Sequence, residues 1–421
     1  MTKDVGPSSR FRSHSVRILA AGFISSFFSI GLSVYLFGVF QAEIIAEFGI
    51  TVGQYSWAPG LSSIVSGILS PIVGRSLVTY GRPGFSIRSV LLAGAVSIGL
   101  GLILISRAES IAFFAAGFVL LVAPGTVMMG PLVGAAMVTN WFEAKRGRAL
   151  GIVAAGTTVG GMLAPLLAAA LVEALGWRDA MAILGILLFI VPFPVIAFFA
   201  TSSPEEIGET PDGIAKDDEI AGSQGRLEGP DTTGQLLRNP QFWLVGVVFG
   251  FMFSAGAISV AFTVPYANQL GIPLVGGAFI VSLRAGAGAV GKILLGSLSD
   301  RLGVRPVLWG VIVVEVVLTR QLIEIRDPTL FTVLGVGIGF VGGSALPLKS
   351  AIVGDLFGRA SFASVMGLLQ TLALPFSVVL VRLAGAIHDR TEDYAMVFGF
   401  TVPIFILAGI VLFFVRPPAR S

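Results

Sequence analysis

Two ionisable side chains, Arg284 and Glu315, stand in the middle of long apolar stretches. A guanidinium facing hydrocarbon costs about 2.5–3.5 kcal/mol even on the most forgiving insertion scale, so each charge needs a reason to be there. Arg284 lies about nine residues into its stretch, roughly 14 Å along a helix and close to its middle. Its planar fork can grip a carboxylate through two charge-assisted hydrogen bonds, and the small residues from Ala285 to Gly291 leave room beside it. The alternative is a structural ion pair with a buried carboxylate such as Glu315. Glu315 also has two outcomes: paired with a cation it is structural, whereas buried alone it favours its neutral form and can carry a proton. Lys349 and Arg382 lie nearer the ends of their stretches, where long stems reach toward an interface. Gln370 is a neutral hydrogen-bonding candidate for the same small ligand, and Tyr35, Met128, Met129 and Phe340 are candidate wall residues or simple packing positions.

Other chemistries are poorly supplied. Cysteine is absent, which excludes disulfides, thiolate nucleophiles and cysteine metal sites. The two histidines, His14 and His388, are far apart in polar flanks, a poor basis for a zinc site or a triad. The run Gly337-Ile338-Gly339-Phe340-Val341-Gly342 matches a dinucleotide fingerprint letter for letter, but it sits inside an apolar stretch with no preceding strand, where close helix packing is the better reading. There is no Walker A motif. No enzyme activity, cofactor or metal is therefore expected.

The elements that must position these residues follow from composition. Of 421 residues, 55% are hydrophobic and 12% charged, with a mean hydropathy of +0.91. Soluble domains carry about twice that charge, so the main solvent of this chain is lipid. Twelve apolar stretches are each long enough to cross about 30 Å of hydrocarbon as a helix. They run approximately over 18–40, 57–73, 90–106, 111–137, 149–171, 180–200, 242–266, 276–295, 307–323, 330–353, 364–385 and 395–415. A ten-residue barrel alternation is not seen, so the expected fold class is an all-α membrane protein of twelve transmembrane helices. The organisation is a tail (1–17), a six-helix half (18–200), a linker (201–240), a second six-helix half (241–415) and a final tail (416–421). The linker is the only long polar stretch and cannot bury a core of its own.

Basic residues mark one face. Lys3, Arg10, Arg12, Arg17, Arg75, Arg82, Arg88, Lys145, Arg146, Arg148, Lys216, Arg226, Arg238, Lys292, Arg301, Arg305, Arg359, Arg416 and Arg420 fall on the side of the tails and linker. The opposite side receives Arg107, Arg178, Arg320, Arg326 and Arg390. The positive-inside rule puts both termini and the linker in the cytoplasm, consistent with an even number of spans in a plasma or bacterial inner membrane. The net charge of +3 follows from this bias and does not argue for nucleic acid. The first span is too long for a signal-peptide core. All five tryptophans lie near expected helix ends, where an aromatic belt would sit.

The halves carry related text. Gly74 to Gly81, Arg82 and Pro83 follows the second span; Gly296, Asp300, Arg301, Gly303, Arg305 and Pro306 follow the eighth, in each case read as a short turn. Asn140, Trp141 and Phe142 with Lys145, Arg146 and Arg148 follow the fourth span as Asp355, Phe357 and Arg359 follow the tenth. Parallel six-helix repeats facing one another are a transporter architecture, with the ligand held between halves.

The set Gly296, Leu298, Asp300, Arg301, Gly303 and Arg305 resembles the loop signature of the major facilitator superfamily. Within it, the chain is similar to the monocarboxylate transporter and oxalate/formate antiporter branch. The text that carries this is Tyr35-Leu36-Phe37-Gly38-Val39-Phe40, Glu47-Phe48-Gly49, the run from Trp141 to Gly151, Gly176-Trp177-Arg178, Leu237-Arg238-Asn239-Pro240, Phe242-Trp243, and Met366-Gly367 through Gln370 to Leu374-Pro375-Phe376. The resemblance covers residues 18–415 and implies two pseudo-symmetric six-helix halves. It further implies an Arg at position 284 as substrate anchor and a gating loop formed by Gly296, Asp300, Arg301, Gly303 and Arg305 with Gly81 and Arg82. Two departures limit the carry-over. Val78 and Thr79 replace the Asp and Arg of the first-half loop, and Ile280 stands where animal monocarboxylate transporters carry an Asp one turn before the Arg.

The resulting expectation is a secondary transporter, working as a monomer, that moves a small organic anion, a monocarboxylate, by proton symport and rocker-switch alternating access. Glu315 is the proton-coupling candidate. The alternatives are carriage of a larger aromatic or vitamin-like compound, organic anion exchange, and, from another class, a membrane sensor on a transporter fold, for which longer signalling tails would be expected.

Overall fold

A computed structural model describes residues 9–78, 86–142, 146–209 and 233–415. Gly81, Arg82, Lys145, the centre of the 201–240 linker and the final tail lie outside them. Twelve helices are long and apolar enough to cross a membrane, as expected: His14–Phe48, Val52–Val73, Ile87–Ile105, Ile111–Val138, Ala149–Leu175, Trp177–Phe199, Pro240–Gln269, Leu274–Ser299, Val304–Glu324, Pro328–Phe357, Val365–Thr391 and Tyr394–Phe414. No strand occurs among the described residues.

Local chemistry starts these helices. The Ser86 hydroxyl accepts from the Ser89 amide at the third span, and Asp327 accepts from the Leu330 amide ahead of Pro328 at the tenth. At the seventh, the Asn239 side chain accepts from the Gln241 amide and Pro240 takes the first helical position, which explains the Leu237-to-Pro240 text. The first span is not one rod. Its helix stops at Gly31, passes through a non-helical turn over 32–35, and resumes at Leu36.

By contacts the chain forms two compact units. The first draws on Met1–Val34, Ile68–Ala164 and Leu175–Arg226. In it the Ser29 hydroxyl donates to the Thr126 carbonyl at 3.0 Å, and a π-helical turn over Phe118–Val122 leaves the Leu121 carbonyl to accept from Ser97 at 2.7 Å. Trp141 and Trp177 stand at helix ends, as expected, but their indoles are buried in the protein. The Trp141 indole N–H donates to the Thr201 carbonyl at 3.0 Å, and Trp177 stacks under Arg178, whose guanidinium satisfies the carbonyls of Ser106 and Ala108 at the end of the third span. Trp57 and Trp243, both exposed, fit the belt reading.

The second unit draws on Tyr35–Gly67, Pro165–Ala174 and Leu227–Ser421. It therefore contains the far end of the first span and the near end of the second, which pack on the seventh, eleventh and twelfth spans. Gly38 lies against the Ala261 carbonyl, with 2.6 Å left for an added Cβ. The Asp389 carboxylate accepts from the Gly53 amide at 3.0 and 3.1 Å and from the Thr51 hydroxyl at 2.8 Å, so one carboxylate holds the start of the second span. Beside it the Gln41 amide donates to the Tyr394 phenol at 2.9 Å, and Arg382 lies over the Trp57 ring.

A Cβ at Gly53 would strike both the Asp389 carboxylate and the Arg382 guanidinium. Gly53→Ala should therefore lower the thermal unfolding midpoint in detergent, whereas Gly354→Ala, with nothing within 4 Å of the added methyl, should leave it unchanged. Asp389→Ala should cost about 1 kcal/mol, since this carboxylate is reached by water; equal midpoints for Gly53→Ala and Gly354→Ala would show that the seam carries no stability.

Candidate anion site

The eighth, ninth and tenth spans bring Arg284 and Glu315 into one neighbourhood. Arg284 is 7% exposed. Its Nη1 donates to the Thr263 hydroxyl at 2.7 Å and its Nη2 to the Ser259 hydroxyl at 2.5 Å. These two residues stand one turn apart on the seventh span, so they present their hydroxyls on the same helix face. The Thr263 hydroxyl in turn donates to the Ser259 carbonyl at 2.5 Å, a back-bond that fixes where its lone pairs point. Both partners are neutral, and among the described residues only one N–H on each terminal nitrogen is used.

The backbone approach that makes this geometry possible comes from the tenth span. A Cβ at Gly339 would stand 2.5 Å from the Arg284 carbonyl oxygen and 2.7 Å from its Cα, and one at Gly335 would stand 3.7 Å from the Arg284 Cδ. Gly343 meets Gly288 in the same way, and Gly291 meets the Phe340 carbonyl. The dinucleotide-like glycines are thus a helix-packing face.

Glu315 is 3% exposed and makes no ion pair with Arg284, although the two charges lie within electrostatic range. One carboxyl oxygen, Oε2, is buried without a hydrogen-bond partner, and Oε1 lies 3.0 Å from where a Gly342 Cβ would be. Arg284 is therefore not held by the structural ion pair that was its alternative reading.

The other expected residues divide. Tyr35, in the non-helical turn of the first span, is half-buried and within electrostatic range of Arg284. Phe340 packs its ring on the core of the second unit. Gln370 is exposed on the eleventh span and makes no hydrogen bond to Arg284. Met128 and Met129 lie in the first unit; Met129 is fully buried with its backbone amide over Gly94, a packing position. Lys349 does not reach toward an interface: it is 2% exposed, with its ammonium 5.4 Å from the centre of the Phe253 ring. Sequence reasoning missed Ser259 and Thr263, whose only signal is a Ser and a Thr four apart in an apolar run.

The signature loop also differs from expectation. The eighth helix runs through Gly296 and Arg301 to Leu302, and the turn comes only at Gly303, whose φ of 90° suits glycine. Arg301 is exposed, Arg305 donates to the Phe413 carbonyl at 2.7 Å, and the side chain of Asp300 lies outside the described residues.

A family model described as Major Facilitator Superfamily matches residues 23–319 and 254–421. The chain is 23% identical over 352 residues to an uncharacterised MFS-type transporter, YhjX, of Escherichia coli, covering 83% of this chain and 82% of that one. It is 23% identical to monocarboxylate transporter 12 of Xenopus laevis (86% and 80% covered) and 25% identical to the oxalate:formate antiporter of Oxalobacter formigenes (79% and 75%). Its fold is similar to a crystal structure of a bacterial homolog of the human lysosomal transporter Spinster, in an inward-facing and occupied conformation, at a TM-score of 0.75, with 14% identity and 97% of each chain covered.

Because the Gly339 position meets Arg284 backbone, Gly339→Ala should push the eighth and tenth helices apart, lowering the unfolding midpoint and weakening the binding of any ligand that Arg284 holds. Gly367→Ala, with open space around the added methyl, is the control; indistinguishable melting curves for the two variants would contradict this packing.

Proposed function

The chain belongs to the major facilitator superfamily and is an integral membrane transporter, and from that premise we propose that it moves a small organic monocarboxylate by proton-coupled alternating access. The observation that carries this reading is Arg284: a buried cation held by two neutral hydroxyls, with its charge uncancelled by any direct ion pair and with N–H donors to spare. One uncancelled positive charge in a low-dielectric interior matches one carboxylate, which a guanidinium fork binds through two parallel hydrogen bonds. Two relatives named for carboxylate transport, the frog monocarboxylate transporter and the oxalate:formate antiporter, support the same chemistry. Tyr35, in the turn of the first span, lies within electrostatic range of Arg284 and is the candidate for a further hydroxyl contact to the anion.

Glu315 is the proton carrier in this reading, since a buried carboxyl oxygen without a partner is free to gain or lose a proton without breaking a hydrogen bond. Both termini and the linker are cytoplasmic in this reading, and the segment from Gly296 to Arg305, the end of the eighth helix and the turn at Gly303, is part of the cytoplasmic gate. Organic anion exchange is the second reading, favoured by the similarity to an antiporter.

The test is transport by purified protein in proteoliposomes across formate, acetate, lactate, pyruvate, oxalate and benzoate. Arg284→Ala should reduce uptake of the transported anion about a hundredfold, the loss of two charge-assisted bonds. Glu315→Gln should abolish accumulation driven by a pH gradient while leaving exchange across loaded vesicles intact. Native uptake that ignores a pH gradient but requires a loaded counter-anion establishes exchange instead, and full activity in Arg284→Ala removes the anchor.

A further inference from the structure

The hydroxyls that hold Arg284 are unusual company for a buried charge. Burying a cation is normally offset by a carboxylate, and Glu315 is close enough to interact electrostatically. Instead the guanidinium is held by Thr263, fully buried, and Ser259, 8% exposed. An acid in either place would hold the fork equally well but would cancel the charge that a ligand needs. Neutral acceptors hold the geometry and leave the field.

The two hydroxyls differ in what they have left. Thr263 spends its proton on the Ser259 carbonyl, so its oxygen can only accept, and it acts as a fixed rest for Nη1. Ser259 accepts from Nη2, and its own proton has no acceptor among the described residues. That proton is a further donor beside the guanidinium. Both residues sit on the seventh span, so the anchor on the eighth is oriented by its neighbour as well as by its own helix.

We propose that Ser259 and Thr263 are the positioning residues of the anion site, holding the Arg284 fork with its charge intact and thereby setting its affinity for a carboxylate. This rests on Arg284 as the anchor. The two hydroxyls act on one group, so their effects are coupled rather than additive.

The experiment measures KM and maximal rate of radiolabelled pyruvate exchange in proteoliposomes, with acetate and benzoate as competitors, for Thr263→Val, Ser259→Ala, the double variant, Thr263→Ser and Arg284→Gln. Thr263→Val and Ser259→Ala should each raise KM about tenfold, the worth of one hydrogen bond to a charged group, with the maximal rate largely kept. The double variant should fall short of the product of the two, and Thr263→Ser should restore the native KM. A native KM in Thr263→Val, with only a lowered melting temperature, would give the hydroxyls a packing role and overturn the proposal. If Arg284→Gln loses exchange while Thr263→Val keeps its native KM, the anchor stands and only the positioning role falls. Undiminished exchange in Arg284→Gln, or a native chain that exchanges none of the three anions, removes the anchor and the positioning role together.

Discussion

A positive charge in the middle of a bundle of apolar helices is costly wherever it is placed, and Arg284 is 7% exposed in a span built mostly of small and aliphatic residues. Much of the second unit can be read as the arrangement that makes this charge tolerable. The seventh span supplies two hydroxyl acceptors one turn apart, and the tenth supplies Gly339, where a side chain would collide with the Arg284 backbone. Each partner supplies what the other lacks: hydrogen bonds without the close approach would not reach the fork, and close packing without acceptors would strand its N–H groups.

Glu315 belongs to the same arrangement at one remove. It feels the Arg284 charge without touching it and faces Gly342 on the tenth span, so the glycines that admit the arginine also leave the carboxyl a place beside that helix. A direct ion pair would have used up both groups. Their separation leaves each able to interact with another group.

The seam around Asp389 is built on different terms. The start of the second span is held by hydrogen bonds from the Gly53 amide and the Thr51 hydroxyl to one carboxylate, and the far end of the first span by Gln41 against Tyr394. Bonds of this kind are exchanged for bonds to water at small net cost, unlike a buried apolar contact of the same extent. Tyr35, in the non-helical turn of the first span, links the two features, since the chain segment that follows it reaches the seam and its own phenol lies within electrostatic range of Arg284.

Hydropathy and basic-residue bias are properties of the chain alone. They were enough to give twelve membrane-crossing helices, and the text from Gly296 to Arg305 was enough to give the family, because lipid solvent leaves a long apolar run no other folded option than a helix. The same reasoning singled out Arg284 and Glu315, since a charge in an apolar run is visible without coordinates. It was silent on Ser259 and Thr263, ordinary residues in a membrane helix whose role depends on which face meets the eighth span. It also expected an aromatic belt to include Trp141 and Trp177, which stand at helix ends but bury their indoles in the protein, and Lys349 to reach toward an interface, whereas it is buried. Whether Arg284 paired with Glu315 or stood apart from it was decided only by tertiary structure. Composition determines how many charges must be buried; the approach of one helix backbone to another determines which groups are within 3 Å of them.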